Sequence, residues 1–430
     1  MSKILLAYYG DDFTGSTDAL EFLCRAGAKA VLFIEPPTAA QLKSFPQLDA
    51  YGIAGKTRAL NPAEMEEVLL TAFALIKENG ARHVHYKVCS TYDSSPTVGS
   101  IGKAIDCGAT IFEQTMAPVI GGNPALGRYC VFGNLFARMG IGSNGKIYRI
   151  DRHPSMSKHP VTPADESDLR LHLGKQTNKT IGLIDMVEMQ QPINKWRDNK
   201  SEQVLLLDTT DESELPAIGE WMDGQVEKGN LFSVGGSAVE MALGSYWNHN
   251  KTWIPVANWP AITVAKPLLV VSGSCSPVTA TQIAYAKANG FVDVVLDVAI
   301  LNDKKSIQEV ICTRVNSLLL EKQHVIVHTG AVQTQLLSSE ILGNVLGYIS
   351  KLAAEQTGIK RIVVSGGDTS SYTARAMGID AVEMIAPLVA GAPLCKAHSR
   401  NKAIQGLEVN FKGGQVGAED YFVLMAGEKL

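Results

Sequence analysis

The sequence predicts an α/β protein of two domains, each a mainly parallel β-sheet flanked by helices, with a cleft between them. Three observations carry this. Short apolar runs alternate with amphipathic stretches along most of the chain, and tight loops of Gly, Ser, Thr or Asp join them. The alternation lapses past the middle and then restarts cleanly. Finally, 430 residues exceed one ordinary core, at roughly 100–200 residues per domain.

The first repeat of the pattern is the apolar run Ile4–Tyr9, a loop over Gly10–Ser16 and a helix over Thr17–Arg25. Gly27 stops that helix and Ala30–Ile34 is the next strand. Strand, helix and strand within about thirty residues make a βαβ unit, which implies parallel pairing. Leu48–Ala54, Ala63–Glu78 and His83–Val88 continue the alternation. Residues 117–165 break it: Gly121, Gly122, Gly127, Gly133, Gly140, Gly142 and Gly145 precede His153-Pro154 and His159-Pro160. So long an irregular stretch in a compact domain is usually functional. Alternation resumes with Gly182–Asp185, Val204–Leu207, a helix from about Glu212, Leu231–Val234, and Gly235-Gly236-Ser237 leading a helix through Leu243.

Residues 247–266 carry three tryptophans and two prolines with little periodicity and read as an interdomain connection. The domains are therefore placed at residues 1–246 and 267–430. In the second, Leu268–Val271 suits a strand buried on both faces. Ser276 is a helix N-cap, Pro277 the first helical residue and Gly290 the stop. Strands at Val292–Val298, Val325–Thr329 and Ile362–Ser365 alternate with helices near Lys304–Glu321 and Ser338–Thr357.

Composition narrows the function classes. Hydrophobic residues at 46% and charged residues at 19% supply enough apolar surface to exclude a disordered chain. A net charge of −4 offers no basic field for a nucleic acid. The seven cysteines form no C-x-x-C pair, which argues against a zinc ribbon and for a reducing, cytoplasmic setting. No stretch reaches the roughly 20 apolar residues of a membrane span, and Met384–Leu394 is interrupted by Pro387, Gly391 and Pro393.

In open α/β sheets, ligands bind beyond the carboxyl ends of the strands, where helix N-termini favour anions. Asp11 and Asp12, with Thr14 and Gly15, occupy the first such loop. One carboxylate there could hold a metal or accept a hydroxyl proton and the other bind sugar hydroxyls; alternatively one merely caps the turn. Lys56, Arg58 and Lys87, with Ser90, Thr91 and Asp93, follow neighbouring strands and offer cations and hydroxyls suited to a carboxylate-bearing polyol. The second domain holds three small-residue loops: Ser272, Ser274 and Ser276; Gly366, Gly367, Asp368 and Thr369; and Gly413, Gly414 and Gly417. Thr369 or Ser370 can cap the helix that follows. Such loops let backbone approach a nucleotide's phosphate chain. His83 and His85 alternate on a strand and read as structural, His153 and His159 lack a third ligand for a metal, and Cys89 lacks a base partner.

These residues resemble a known family. Asp11-Asp12-Phe13-Thr14-Gly15-Ser16-Thr17-Asp18, Lys56-Thr57-Arg58 and Ser90-Thr91-Tyr92-Asp93-Ser94 look like the N-terminal motifs of the four-carbon acid sugar kinases. His159-Pro160-Val161-Thr162-Pro163 with Glu166-Ser167-Asp168-Leu169 is similar to another of their marks, and the three second-domain loops match in order. Two departures stand out: Ser94-Ser95-Pro96-Thr97 replaces a Leu-Arg-Gly-like turn, and Gly235-Gly236-Ser237 replaces a Ser-Ser-Gly run. The resemblance implies a sugar-acid-binding first domain, an ATP-binding second domain, and transfer of the γ-phosphoryl group to a substrate hydroxyl with Mg²⁺. On that reading Asp12, with Asp11 as the second candidate, orients or deprotonates the attacking hydroxyl. Arg58 or Lys87 holds the carboxylate, and a homo-oligomer is left open. The rival readings are an NAD(P)-dependent oxidoreductase of a small hydroxy acid, for which Glu35 would be the ribose-binding acid, and a non-catalytic sugar-acid sensor.

Overall fold

The computed structural model describes residues 4–139, 145–196, 201–226, 229–297, 299, 301, 303–330 and 338–427, with the side chains of residues 304, 310 and 368 excepted. Gly140, Gly142 and Val298 thus lie outside the described residues. By packing the chain divides into two units, Met1–Ala30 with Pro36–Ala257 and Val31–Glu35 with Asn258–Leu430.

The strands up to the tryptophan-rich segment are β1 (Leu6–Gly10), β2 (Ala30–Phe33), β3 (Ala50–Ala54), β4 (His83–Lys87), β5 (Ala117–Ile120), β6 (Arg128–Val131), β7 (Asn134–Arg138), β8 (Ile147–Arg149), β9 (Ile181–Ile184), β10 (Val204–Leu207) and β11 (Leu231–Gly235). In the first unit, seven of them run parallel in the order β3-β1-β4-β11-β5-β10-β9. Helices cross between them, and β1, β3, β4, β10 and β11 are buried along their full length, as continuous apolar runs require. On one face Phe73 sits at the centre of an aromatic cluster, its ring centroid 5.4 Å from Phe232, 5.7 Å from Phe112 and 6.3 Å from both Tyr9 and Tyr86.

Three expectations change. The first helix begins at Phe13, about a turn before Thr17, because the Asp12 carboxylate caps it. The segment read as irregular holds a small antiparallel sheet, β6-β7-β8. Its strands are three to five residues long, and glycines such as Gly133 (φ +80°) turn the chain between them, so no periodicity accumulates. Lastly, Ala30–Ile34 is not the parallel partner of β1, whose neighbours are β3 and β4. Its Leu32 and Phe33 belong to the second unit, where they pair antiparallel with Val382 and Ala381.

The second unit contributes β12 (Leu269–Ser272), β13 (Val292–Val295), β14 (Val325–His328), β15 (Arg361–Ser365), β16 (Ala381–Val389), β17 (Ala392–His398) and β18 (Glu408–Lys412). Its sheet order is β13-β14-β12-β15-β18-β17-β16-β2, parallel as far as β18 and antiparallel beyond. The interrupted apolar stretch around Met384–Leu394 is thus a β-hairpin, with Gly391 (φ +81°) in the turn. Ser276 and Pro277 begin their helix as expected, and Gly290 follows it at φ +88°. Among the described residues no helix is long and apolar enough to cross a membrane.

Phe73→Ala would open a cavity inside the aromatic cluster. The expected loss is about 3–5 kcal/mol of stability, and Phe73→Leu should lose distinctly less; urea unfolding curves of the two variants check this.

Candidate functional site

In the first unit, register places the site. Gly10 at the end of β1 pairs with Ala54 and Lys87, and Lys87 pairs with Gly235, so four strands finish flush. The loops leaving them converge, as the sheet rule requires. Backbone bonds join them before any side chain does: Asp11 N donates to Lys87 O (2.8 Å) and Arg58 N to Asp11 O (3.1 Å).

Arg58 bridges the two candidate carboxylates. Its Nη2 lies 2.9 Å from Asp11 Oδ1 and 2.9 Å from Asp12 Oδ1, while Nε donates to Asp11 Oδ2 at 3.3 Å. Asp12 also accepts from Thr14 Oγ1 (2.9 Å) and Gly15 N (2.8 Å). Burial pushes the Asp11 carboxyl up, more strongly than Arg58 draws it down. For Asp12 burial acts the same way, but Arg58, Lys87, Thr14 and Gly15 outweigh it and hold the group below the ordinary carboxylate range. Two neighbouring acids are thereby driven apart, one firmly ionised and one more easily protonated. Gly15 is required here, since a Cβ would lie 2.5 Å from Asp12 Oδ1 and 3.0 Å from Lys87 Nζ.

Lys87 is 2% exposed, donates to Val88 O (3.0 Å) and lies 3.7 Å from Asp18 Oδ2. Ser237 Oγ donates to that same Asp18 oxygen (2.5 Å) and accepts from Asn123 Nδ2 (2.8 Å). Arg128, buried at the start of β6, feels the charges of Asp93 and Asp18. Sequence reasoning gave none of Asp18, Asn123, Arg128 and Ser237 a role in the site. Asp18 had a usable signal, one helical turn beyond Gly15 on the same helix. Asn123 and Arg128 had only their place in the glycine-rich segment.

The loop after β4 completes the rim. Thr91 is buried, and Ser90 and Asp93 are half-buried. Between them Tyr92 holds φ at +56°, a strained setting for a bulky residue, with its hydroxyl donating to Ile120 O (2.5 Å). Ser94 turns inward to His172 (Oγ to Nε2, 2.8 Å). Thr91, Asp93, Thr162 and Glu166 line one small cavity, which brings the His159–Leu169 mark to the same place. Lys56 is exposed and has no ion pair among the described residues. His83 and His85 are fully buried, held by Asp223 (2.9 Å) and Glu240 (2.5 Å). His153 and His159 spend Nδ1 on local backbone N–H groups. Burial pushes the Cys89 thiol to about 11, so it is no thiolate at neutral pH. Glu35 pairs with Arg375 within the second unit (2.7 Å), which removes the acid that a dinucleotide reading needs.

In the second unit three loops abut. A Cβ on Gly273 would lie 2.5 Å from Thr369 Cγ2, and one on Gly414 would lie 2.7 Å from Ser274 Oγ. Ser276 Oγ accepts from Val278 N (3.2 Å) as the N-cap. Thr369 and Ser370 do not cap their helix; both hydroxyls donate back to Gly366 O (3.3 and 2.6 Å). The Gly367–Met377 helix therefore starts at Gly366 (φ +131°) without a side-chain cap, which leaves its first N–H groups available to an anion. Gly367, Gly413 and Gly417 are half-buried around this junction, while the Asp368 side chain lies outside the described residues. Beside it a cavity of about 330 Å³ is walled by Ser272, Ser274, Ala280, Ile283, Lys287 and His328, within the range of small-molecule sites. Beneath lies Lys412, fully buried, donating to Thr279 Oγ1 (3.1 Å) and Ser365 Oγ (3.2 Å). Burial without a carboxylate lowers its ammonium to about 7.

Among the described residues no three His, Cys, Asp or Glu side chains are grouped to hold a metal unaided. The hydroxyls of Ser272, Ser274 and Ser276 beside the cavity are donors of the kind Mg²⁺ accepts when it takes most of its ligands from phosphate and water.

Residues 6–243 match a family model described as a sugar-binding N-terminal domain, and residues 269–422 one described as a nucleotide-binding C-terminal domain. The chain is 39% identical to the 3-oxo-isoapionate kinase of Paraburkholderia graminis, covering 99% of this chain and 95% of the relative. It is 26% identical to the 3-oxo-tetronate kinase of Salmonella typhimurium over 96% of each. A crystal structure from Salmonella typhimurium LT2 shares the fold with a TM-score of 0.80 at 23% identity, covering 100% of this chain and 99% of that one. The Haemophilus influenzae protein HI1011 does so at 0.73 and 22%, covering 99% and 100%.

Lys412 generates a pH test. Its folded value lies below that of an unfolded lysine, so between about pH 7 and 10 the unfolded chain binds the extra proton and stability rises with pH. Lys412→Met should flatten that rise; urea midpoints measured across this range check it.

Proposed function

The chain belongs to the four-carbon acid sugar kinase family, and from that premise we propose that it transfers the γ-phosphoryl group of ATP to a hydroxyl of a small sugar acid, a 3-oxo-tetronate or a close branched analogue. The observation that carries this reading is the Arg58-clamped pair of Asp11 and Asp12 at the head of a parallel sheet, in the residues that match the sugar-binding domain. Residues 1–246 bind the acid and residues 267–430 bind ATP, with 247–266 as the connection. Mg²⁺ enters with ATP as part of the nucleotide substrate.

In this reading the acid lies on the rim formed by Thr14, Gly15, Lys56, Arg58, Lys87, Ser90, Thr91 and Asp93. Its acceptor hydroxyl hydrogen-bonds the ionised Asp12 carboxylate. As the hydroxyl oxygen forms its bond to the γ-phosphorus, the bond to the β-phosphate oxygen breaks, ADP leaves, and the hydroxyl proton passes to Asp12 and then to solvent. A carboxylate held below its ordinary range is a weak base. It suits a transfer whose transition state is loose and whose catalysis is chiefly positioning and charge neutralisation. Lys87 and Arg58 keep that carboxylate in place and offset the charge that gathers around it. The phosphate chain of ATP lies against the backbone of Ser272–Ser276, Gly366–Thr369 and Gly413–Gly417, with the base in the cavity along Ala280 and Ile283. Seven free cysteines support a reducing, cytoplasmic compartment.

Asp12→Asn separates capping from chemistry, because Asn caps a helix as well as Asp does. Turnover should fall by about 10²–10⁴ while the thermal midpoint stays within a few degrees of wild type. Near-normal turnover would remove Asp12 from the mechanism, and Asp11→Asn is the companion variant. The reading as a whole is checked by assaying ATP consumption with a panel of four-carbon and branched sugar acids, alongside NAD(P) reduction in the same samples. Phosphorylated product with no change at the nicotinamide is the expected outcome; reduction of NAD(P) without ATP consumption would overturn it.

A further inference from the structure

Besides the exposed Lys56, three cations are set into the rim of the first unit, and of these three Arg128 alone has no ion pair among the described residues. Arg58 has two carboxylates, and Lys87 has Asp18. Arg128 is 8% exposed and has no carboxylate within ion-pair reach among the described residues. Its hydrogen bonds run from Nη1 alone, to Leu126 O (2.7 Å) and Arg138 O (3.3 Å), and Nε is buried with no partner. A desolvated guanidinium that is hydrogen-bonded only to carbonyl oxygens, with Asp93 and Asp18 felt at a distance and no carboxylate in ion-pair reach, is costly to hold, and such an arrangement is stable where a ligand supplies the close anion. With Nη1 taken, Nε and Nη2 remain. That edge of the fork accepts a carboxylate through two parallel N–H···O bonds.

The surroundings are complementary. Arg128 and Asn123 exchange backbone hydrogen bonds (2.9 and 3.0 Å). The Asn123 amide nitrogen is used by Ser237, and its Oδ1 is buried without a partner. Ser237 also donates to Asp18 Oδ2, and Asp18 Oδ1 is likewise buried and unpaired. One group of residues, joined by backbone bonds at Arg128 and Asn123 and by side-chain bonds from Asn123 through Ser237 to Asp18, thus presents an unpaired donor edge and two unpaired acceptors. A hydroxy acid has the converse set, a carboxylate that accepts and hydroxyls that donate.

We propose that Arg128 is the receptor for the substrate's carboxylate, with Asp18 and Asn123 accepting hydrogen bonds from the hydroxyls beside it. This rests on the kinase reading and deepens it: Arg128 is the residue that makes the enzyme require an acid rather than a neutral sugar, while Arg58 and Lys87 are retained by the carboxylates at the reacting end. Loss of a buried, two-bond contact to a charged ligand should raise KM about 100-fold or more with a smaller change in kcat.

The test uses the full chain and two variants, Arg128→Met and Arg128→Lys, with the panel of four-carbon and branched sugar acids and their neutral carboxamides. For an acid that wild type phosphorylates, both variants should raise KM, and Arg128→Met should lose the preference for acid over amide. In parallel, thermal midpoints are read with each acid in the absence of ATP. Wild type should rise and Arg128→Met should not. If wild type phosphorylates an acid but both variants keep its KM and the preference over the amide, the Arg128 assignment fails and the kinase reading stands. If acids raise the wild-type midpoint yet are never phosphorylated, the kinase reading fails and the receptor stands. If no acid raises the wild-type midpoint, the receptor is overturned. Should Arg128→Met not fold, Arg128→Lys decides on its own, since it keeps the charge and removes the fork.

Discussion

The rim of the first unit depends on one electrostatic problem, the presence of Asp11 and Asp12 side by side at the buried end of β1. Two adjacent carboxylates in a desolvated site repel, and burial by itself favours the protonated form of each. Arg58 resolves this by sharing one nitrogen between them, and it can reach only because β1 and β3 end in register. Lys87 adds a second charge from β4, close to Gly15, where a Cβ would lie 3.0 Å from its Nζ and crowd it. Flush strand ends, a glycine inside the first helical turn and a fully buried lysine are therefore consequences of keeping one acid ionised. The fold places the charges, and the charges in turn fix the first helix through the Asp12 cap.

The second unit handles a buried cation in the opposite way. Lys412 has two hydroxyls and no carboxylate, so its ammonium sits near neutrality in the absence of an anion. A phosphate chain arriving at the adjoining loops would favour the charged form, because an opposite charge raises a lysine's affinity for its proton. The same loops expose backbone N–H groups at an uncapped helix start. An anion held there would draw on dipoles already in place and on a charge that the ligand itself calls up.

What could be read from the sequence follows from how far each feature extends along the chain. Buried parallel strands such as Val204–Leu207 announce themselves as continuous apolar runs, and the Ser276–Pro277 helix start is written in adjacent residues. Asp11, Asp12, Arg58 and Lys87 could be picked out as candidates because each lies at or just beyond the end of a recognisable strand. The pairing of β2 with β16 was not, since nothing local to Ala30–Phe33 encodes a partner about 350 residues away. Neither was the β6–β8 sheet, whose strands are too short to establish a period. Arg128 belongs to that sheet, so its proximity to Asp18 and Asp93 emerges only when the topology is known.

The glycine clusters show why composition alone misleads. A Cβ on Gly15, Gly273 or Gly414 would crowd a side chain of the adjoining loop: Asp12, Thr369 and Ser274 respectively. Those neighbours are polar residues, and the absent methyl leaves room for their close contact with the loop. Gly127 and Gly133 serve differently, supplying the positive φ at either end of β6. In the first group glycine leaves room between neighbouring loops; in the second it turns the chain on either side of the strand that begins at Arg128. The same residue type thus works at two levels, and only the residues it abuts tell which.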